Sequence, residues 1–208
     1  MANPGRKRAT YGDVLKAPRH VIAELVDGEL VASPRPGGPH TMAATALTGL
    51  LVPPFQFGSG GPGGWIVMFE PELHLGRDIL VPDLAAWRRT RMPHVGAGAY
   101  FALPPDWLCE CVSRSTGAID RKVKLPIYAR AGVRNVWMVD ALQRTLEVLR
   151  LDDGAWRSIA SHHGDARVRA EPFADVELEV GALWADTLLP ALRGSRCEEE
   201  QAPWGAPR

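Results

Sequence analysis

The sequence predicts a mixed α/β domain, a central mixed β-sheet flanked by helices, with a short helix and a hairpin at the N-terminal side. Three observations carry this expectation. Residues 107–140 read strand, helix, strand, the order of a parallel crossover. Asp27-Gly28 stands between two apolar runs and supplies the positive φ angles of a tight hairpin turn. Trp107-Leu-Cys-Glu-Cys-Val-Ser113 is apolar on both faces except at Glu110, which marks an interior strand.

Taken in order, Thr10 with Asp13 has the spacing of a capped helix start, and that helix must stop before Pro18. Residues 22–26 and 29–33 are the two arms of the hairpin, with Glu24 set among apolar neighbours on either a solvated face or at a site. His40 opens a helix of small and apolar residues to Leu51, suited to close packing on a sheet. The Pro/Gly-rich stretch 53–64 reads as a loop and lacks the Gly-Lys-Ser/Thr ending of a phosphate-binding loop. Strands are expected at 65–70, 72–75, 78–81 and 82–87, then a Gly/Pro-rich loop at 92–106 and the interior strand. Asp120, Lys124 and Tyr128 recur every fourth residue and would share one side of the following helix. Pro126 interrupts it, so the helix begins or kinks near Lys124, and Gly132 ends it. Residues 133–140 form the next strand, 146–151 and 155–160 a late hairpin, 173–180 an extended stretch and 181–192 a terminal helix.

Composition narrows the function classes. A chain of 208 residues with 46% apolar content suits one compact unit, which the sequence places at residues 10–192, between a flexible arm (1–9) and a disordered tail (193–208). Lys+Arg and Asp+Glu both number 24, so no global field draws the protein to nucleic acid or an anionic membrane. No apolar run approaches the roughly 20 residues of a membrane helix. Cys109, Cys111 and Cys197 are an odd set in a chain with a basic, polar start, and a reduced, cytoplasmic setting is expected. Cys109 and Cys111 read as small core residues, since no second cysteine pair stands near them to complete a zinc site.

The chemistry gathers in residues 82–140. Asp83 and Glu110 sit in apolar strands, where a carboxylate is costly unless it is paired, protonated or metal-bound. Two such acids with a nearby lysine, Lys124, form a toolkit for metal-assisted phosphodiester hydrolysis: carboxylates hold Mg²⁺, and the lysine orients or deprotonates the attacking water and offsets developing charge. The structural alternative has Asp83 capping a turn or pairing with Arg88, Glu110 paired with Lys124, and Asp120 capping a helix, with no metal.

Glu24-Leu-Val-Asp-Gly-Glu-Leu30, Pro39-His40, Pro82-Asp83, Glu110-Cys-Val-Ser-Arg-Ser-Thr116, Asp120 to Lys124, Tyr128-Ala-Arg-Ala-Gly-Val133 and Trp137-Met-Val-Asp140 together resemble the Uma2 family, of the PD-(D/E)XK, restriction-endonuclease-like nuclease superfamily. The resemblance runs from about Tyr11 to Leu189. It implies an endonuclease cutting DNA with Mg²⁺, or Mn²⁺ in its place, a catalytic set of Asp83, Glu110 and Lys124, and metal ligation by Asp83, Glu110 and the backbone carbonyl of Cys111. Glu24, His40, Asp120 and Lys122 are accessory candidates, and Arg114 and Arg121 phosphate contacts. Val112 stands where the superfamily pattern has lysine, and Lys124 supplies the ammonium from the helix instead. Fold-level analogy adds a homodimer. The rival expectation is a weakened nuclease fold acting as a nucleic-acid-binding or assembly module.

Overall fold

The computed structural model describes residues 8–112 and 117–184. Helix α1 (Tyr11–Val14) opens with a reciprocal capping box between Thr10 and Asp13. The hairpin β1 (Val21–Val26) and β2 (Glu29–Pro34) turns at Asp27 and Gly28, both at positive φ. Helix α2 (Gly38–Leu51) runs directly into a π-helical turn, Val52–Gln56. The loop expected from Pro53 therefore starts one helical turn later.

Strands β3 (Trp65–Phe69), β4 (Leu73–Leu75), β5 (Asp78–Leu80), β6 (Leu84–Arg88) and β7 (Trp107–Cys111) follow. A short α3 (Gly117–Ile119), a wide π turn (Asp120–Lys124) and α4 (Leu125–Ala131) lead to β8 (Asn135–Asp140). The late hairpin is β9 (Thr145–Asp152) and β10 (Ala155–His163), and β11 (Arg167–Val168) and β12 (Leu178–Glu179) close the described chain with a 3-10 turn at Val180–Leu183. The expected terminal helix falls mostly on residues outside those described, as do the arm before Arg8 and the tail.

Among the described residues three sheets share the strands, the smallest being the pair β11–β12. The largest has six, in the order β10-β9-β8-β7-β6-β3, and only β7 and β8 are parallel, so it is mixed. The hairpin β1–β2 does not join it; it pairs with β5 and β4 in a second sheet of four, β2-β1-β5-β4. The large sheet is covered on both faces, which is why β7 is apolar throughout. On one face, Trp107, Cys109, Cys111 and Trp137 pack with Ala43, Ala44, Leu47 and Leu51 of α2. Full burial of a leucine such as Leu47 or Leu51 contributes about 1.5–3 kcal/mol. On the other face, Leu108, Val136 and Met138 pack with Leu125 and Ile127 of α4 and Leu73 and Leu80 of the small sheet. No helix among the described residues is long and apolar enough to cross a membrane.

The π turn answers the problem set by Pro126. Proline has no amide to give the preceding turn. Here the amide of Leu125 reaches back to the carbonyl of Asp120, and Pro126 falls in the first turn of α4, where no helical amide is needed. Gly132 then ends α4 in the left-handed conformation.

Candidate active site

The pairing of β6 with β7 ends at Leu84 and Cys109, two residues short of the end of β7. Past that point the Cys111 amide has no partner from β6, and Asp83, one residue before β6, turns its carboxylate in to accept it at 2.7 Å. The second oxygen of Asp83 meets Nε2 of His40 at the start of α2. Strand alternation sends Glu110 to the opposite face, toward α4 and β1. There its Oε1 accepts the Tyr128 hydroxyl at 2.6 Å and lies 3.4 Å from Lys124 Nζ.

Lys124 is held by acids from three elements. Its ammonium lies 2.9 Å from Glu24 of β1, 3.4 Å from Glu110 of β7 and 3.5 Å from Asp120 one turn earlier. Glu24 also accepts the Val81 amide at 2.9 Å, so its place is in this cluster and not on a solvated strand face. Glu24, Glu110, Asp120 and Lys124 are all at most 6% exposed.

Burial sets the protonation of the cluster. It pushes the Glu110 carboxyl well above the usual carboxylate range; Lys124 opposes the shift, and the neighbouring charges of Asp120, Asp83 and Glu24 add to it. Burial also disfavours the Lys124 ammonium, but Glu110, Glu24 and Asp120 together outweigh it and hold this amine above its ordinary value. Burial, then Glu110 and Glu24, raises the Tyr128 phenol as well. Lys124 is thus a fixed positive charge in neutral solution. Of the two tasks a lysine can perform here, orienting water or deprotonating it, this one is fitted only for the first.

These groups line a pocket of about 240 Å³, with Glu24, Asp83, Glu110, Lys124 and His40 in its wall and Arg35 at its mouth. Cys111 also lines it. Lys122 is exposed and outside the lining. Arg121 is paired at the surface with Glu147 at 2.6 Å. Arg114 lies outside the described residues. Two groups had gone unassigned. Tyr128 was marked only by its spacing from Asp120 and Lys124, and Arg35 sits in a loop whose sequence gives no sign that it folds back over the site.

The donors suit a hard divalent ion. They are carboxyl oxygens from Glu24, Asp83, Glu110 and Asp120, buried together in one pocket wall, and a divalent cation is what would draw Glu110 into its charged form there.

The Uma2 family profile, described as "Putative restriction endonuclease", matches residues 10–181. Among solved structures, one described as a "putative nuclease belonging to DUF820" from Anabaena variabilis is similar at a TM-score of 0.63 and 20% identity, covering 85% of this chain and 98% of that one. At that identity the likeness is one of fold. No curated protein matches the chain.

Proposed function

This chain belongs to the Uma2 family, and from that premise we propose that its pocket hydrolyses phosphodiester bonds of DNA, with Mg²⁺ held by Asp83, Glu110 and the Cys111 carbonyl. The observation that carries the reading is the meeting of Glu110 and Lys124 with Asp83 at one strand end in a pocket open to solvent, with Tyr128 holding Glu110 from behind.

Bound there, the ion would polarise the phosphate and acidify a water. The protein's own share is positional and electrostatic. Tyr128 fixes the rotamer of Glu110 through Oε1, leaving the second carboxylate oxygen for other use. The Cys111 amide fixes Asp83 in the same way. Lys124, kept charged by Glu24, Glu110 and Asp120, presents positive charge where negative charge develops on the phosphorus centre. Arg35, 54% exposed and paired with Glu70 at 3.1 Å, is placed to exchange that partner for a phosphate at the mouth. A two-fold dimer would bring one such pocket to each strand of a duplex.

The test is cleavage of plasmid by purified protein with Mg²⁺ or Mn²⁺. Nicked or linear product is expected from wild type and not from Asp83→Asn or Lys124→Ala, with folding of each checked by circular dichroism. Equal activity in all three sinks the site. One observation favours a second reading: Lys124 is engaged by three acids and none of its reach is spare. Salt-dependent DNA binding with no product in any metal would select a nuclease fold that binds without turnover.

A further inference from the structure

The interior strand carries donors of two chemical kinds on its two faces. Glu110 points to the α4 face with oxygen donors around it, whereas Cys111 points to the α2 face, where His40 stands. Asp83 sits at the strand end between them. Nε2 or Nδ1 of His40, a carboxylate oxygen of Asp83 and Sγ of Cys111 all lie within 4.8 Å of one another. In a tetrahedral zinc site such donors are about 3.4–3.8 Å apart, and His40 and Asp83 already lie closer than that, so a rearrangement on the order of 1 Å completes three ligands, with a water as the fourth.

The three residues come from separate parts of the fold. His40 is in the first turn of α2, Asp83 precedes β6 and Cys111 ends β7. Each lines the pocket, so an ion has a way in. His40 is already turned toward Asp83, which aims its ring nitrogen at the point where an ion would sit. Imidazole and thiolate favour zinc, cobalt and copper over magnesium, which takes oxygen. Cys111 had read as a small core residue, because its sequence neighbours offer no second cysteine pair. The fold supplies a histidine and an aspartate from elsewhere.

We propose that His40, Asp83 and Cys111 form a thiolate-containing site for a soft divalent ion, Zn²⁺, which excludes Mg²⁺ from the oxygen site on the other face by taking Asp83. Of the two Asp83 oxygens, Oδ2 is engaged by the Cys111 amide, which leaves Oδ1 for either ion. On binding, the Cys111 thiol gives its proton to solvent, a sulfur–zinc bond forms and the displaced waters leave the ion; no electrons are exchanged. The thiolate site stands on its own geometry, while the exclusion of Mg²⁺ rests on the proposed function.

Co²⁺ is the probe, because a cobalt–thiolate bond absorbs in the near ultraviolet. Full-length protein with one equivalent of Co²⁺ should show that band, Zn²⁺ should abolish it, and Cys111→Ser should lack it while Cys197→Ser keeps it. His40→Gln should weaken Zn²⁺ binding by at least about tenfold. It also serves as the deciding variant if Cys111→Ser does not fold. A band that persists in Cys111→Ser, no band in wild type, or Zn²⁺ affinity unchanged in His40→Gln overturns the thiolate site. Calorimetry with Mg²⁺, before and after one equivalent of Zn²⁺, tests the exclusion: loss of the Mg²⁺ heat is expected, and an unchanged heat overturns it. If wild type shows the cobalt band but binds no Mg²⁺, the failure belongs to the oxygen site and not to the thiolate site.

Discussion

The two ends of the β6–β7 pair are built alike and finished differently. At one end Asp83, the residue before β6, accepts the amide of Cys111 at the close of β7. At the other Asp106, the residue before β7, accepts the amide of Arg88 at the close of β6 at 2.8 Å. In both cases an aspartate caps a strand amide that the ladder leaves unpaired, and in both the second oxygen meets a side-chain nitrogen. At the Asp106 end that nitrogen belongs to Arg91, at 3.0 Å, one permanent positive charge for one acid. At the Asp83 end it belongs to His40, and behind it stand Glu24, Glu110 and Asp120 gathered around the Lys124 ammonium. Equal geometry with unequal charge separates a structural cap from a site. A buried aspartate is not in itself evidence of chemistry; a cluster of buried acids lining one pocket is.

The sharpest way to break this comparison is to remove the permanent positive charge nearest each end, Lys124 behind Asp83 and Arg91 beside Asp106. Lys124→Ala leaves Glu24, Glu110 and Asp120 buried without an ammonium and should cost about 3–5 kcal/mol in urea unfolding. Mg²⁺ should then stabilise this variant more than wild type, since the ion offsets the same charge. Arg91→Ala removes a partner that is 41% exposed and should cost less than about 1 kcal/mol, with no response to Mg²⁺. Similar losses at the two ends would mean that the crowding of acids near Asp83 is not felt by the fold.

Removing the caps should hurt both ends alike. Asp83→Ala leaves a buried amide unpaired and Asp106→Ala a partly buried one, a loss of about 1–3 kcal/mol each. The asparagine variants keep an oxygen for that amide and should recover most of the stability. They then part company: Asp83→Asn should lose Mg²⁺ binding by calorimetry, and Asp106→Asn should keep it. Loss of binding in Asp106→Asn would erase the distinction between cap and site.

Much of this was legible in the sequence, and for identifiable reasons. The interior strand declared itself because burial on two faces forbids the polar alternation of a half-exposed one, and Glu110 stood out against it. The four-residue spacing of Asp120, Lys124 and Tyr128 survived the interruption at Pro126, because the π turn absorbs the proline and keeps the three on the side facing Glu110. Glu24 was ambiguous because strand alternation alone cannot say which face of a hairpin is covered, and the cover here is a helix about a hundred residues away. Asp106 was missed as a cap, and Asp83's likeness to it could not be seen, because the register between β6 and β7 is set by packing and is not written in either strand. The second sheet was hidden for the same reason: β1 pairs with β5 at a single register position, Leu25 with Ile79.

The smallest effect concerns Tyr128, which has no counterpart at the Asp106 end. Its hydroxyl donates to the charged form of Glu110, so Tyr128→Phe removes a stabiliser of that form, and the net loss in stability should be about 1 kcal/mol. Its clearer signature is in pH. Burial holds Glu110 protonated to a higher pH in the folded protein than in the unfolded chain. The stability this contributes is therefore present at low pH and is lost as pH rises through the folded pKa. An ion needs the carboxylate, so Mg²⁺ affinity should climb with pH through that same raised pKa, level off above it, and release a proton below it. Phenylalanine should move the climb to higher pH. Calorimetry of Mg²⁺ binding across that range, in two buffers of different ionisation heat, reads both the affinity and the proton. An unmoved profile would show that Tyr128 holds the helix to the strand but does not set the charge of Glu110, and the Asp83 end would then differ from the Asp106 end in its acids alone.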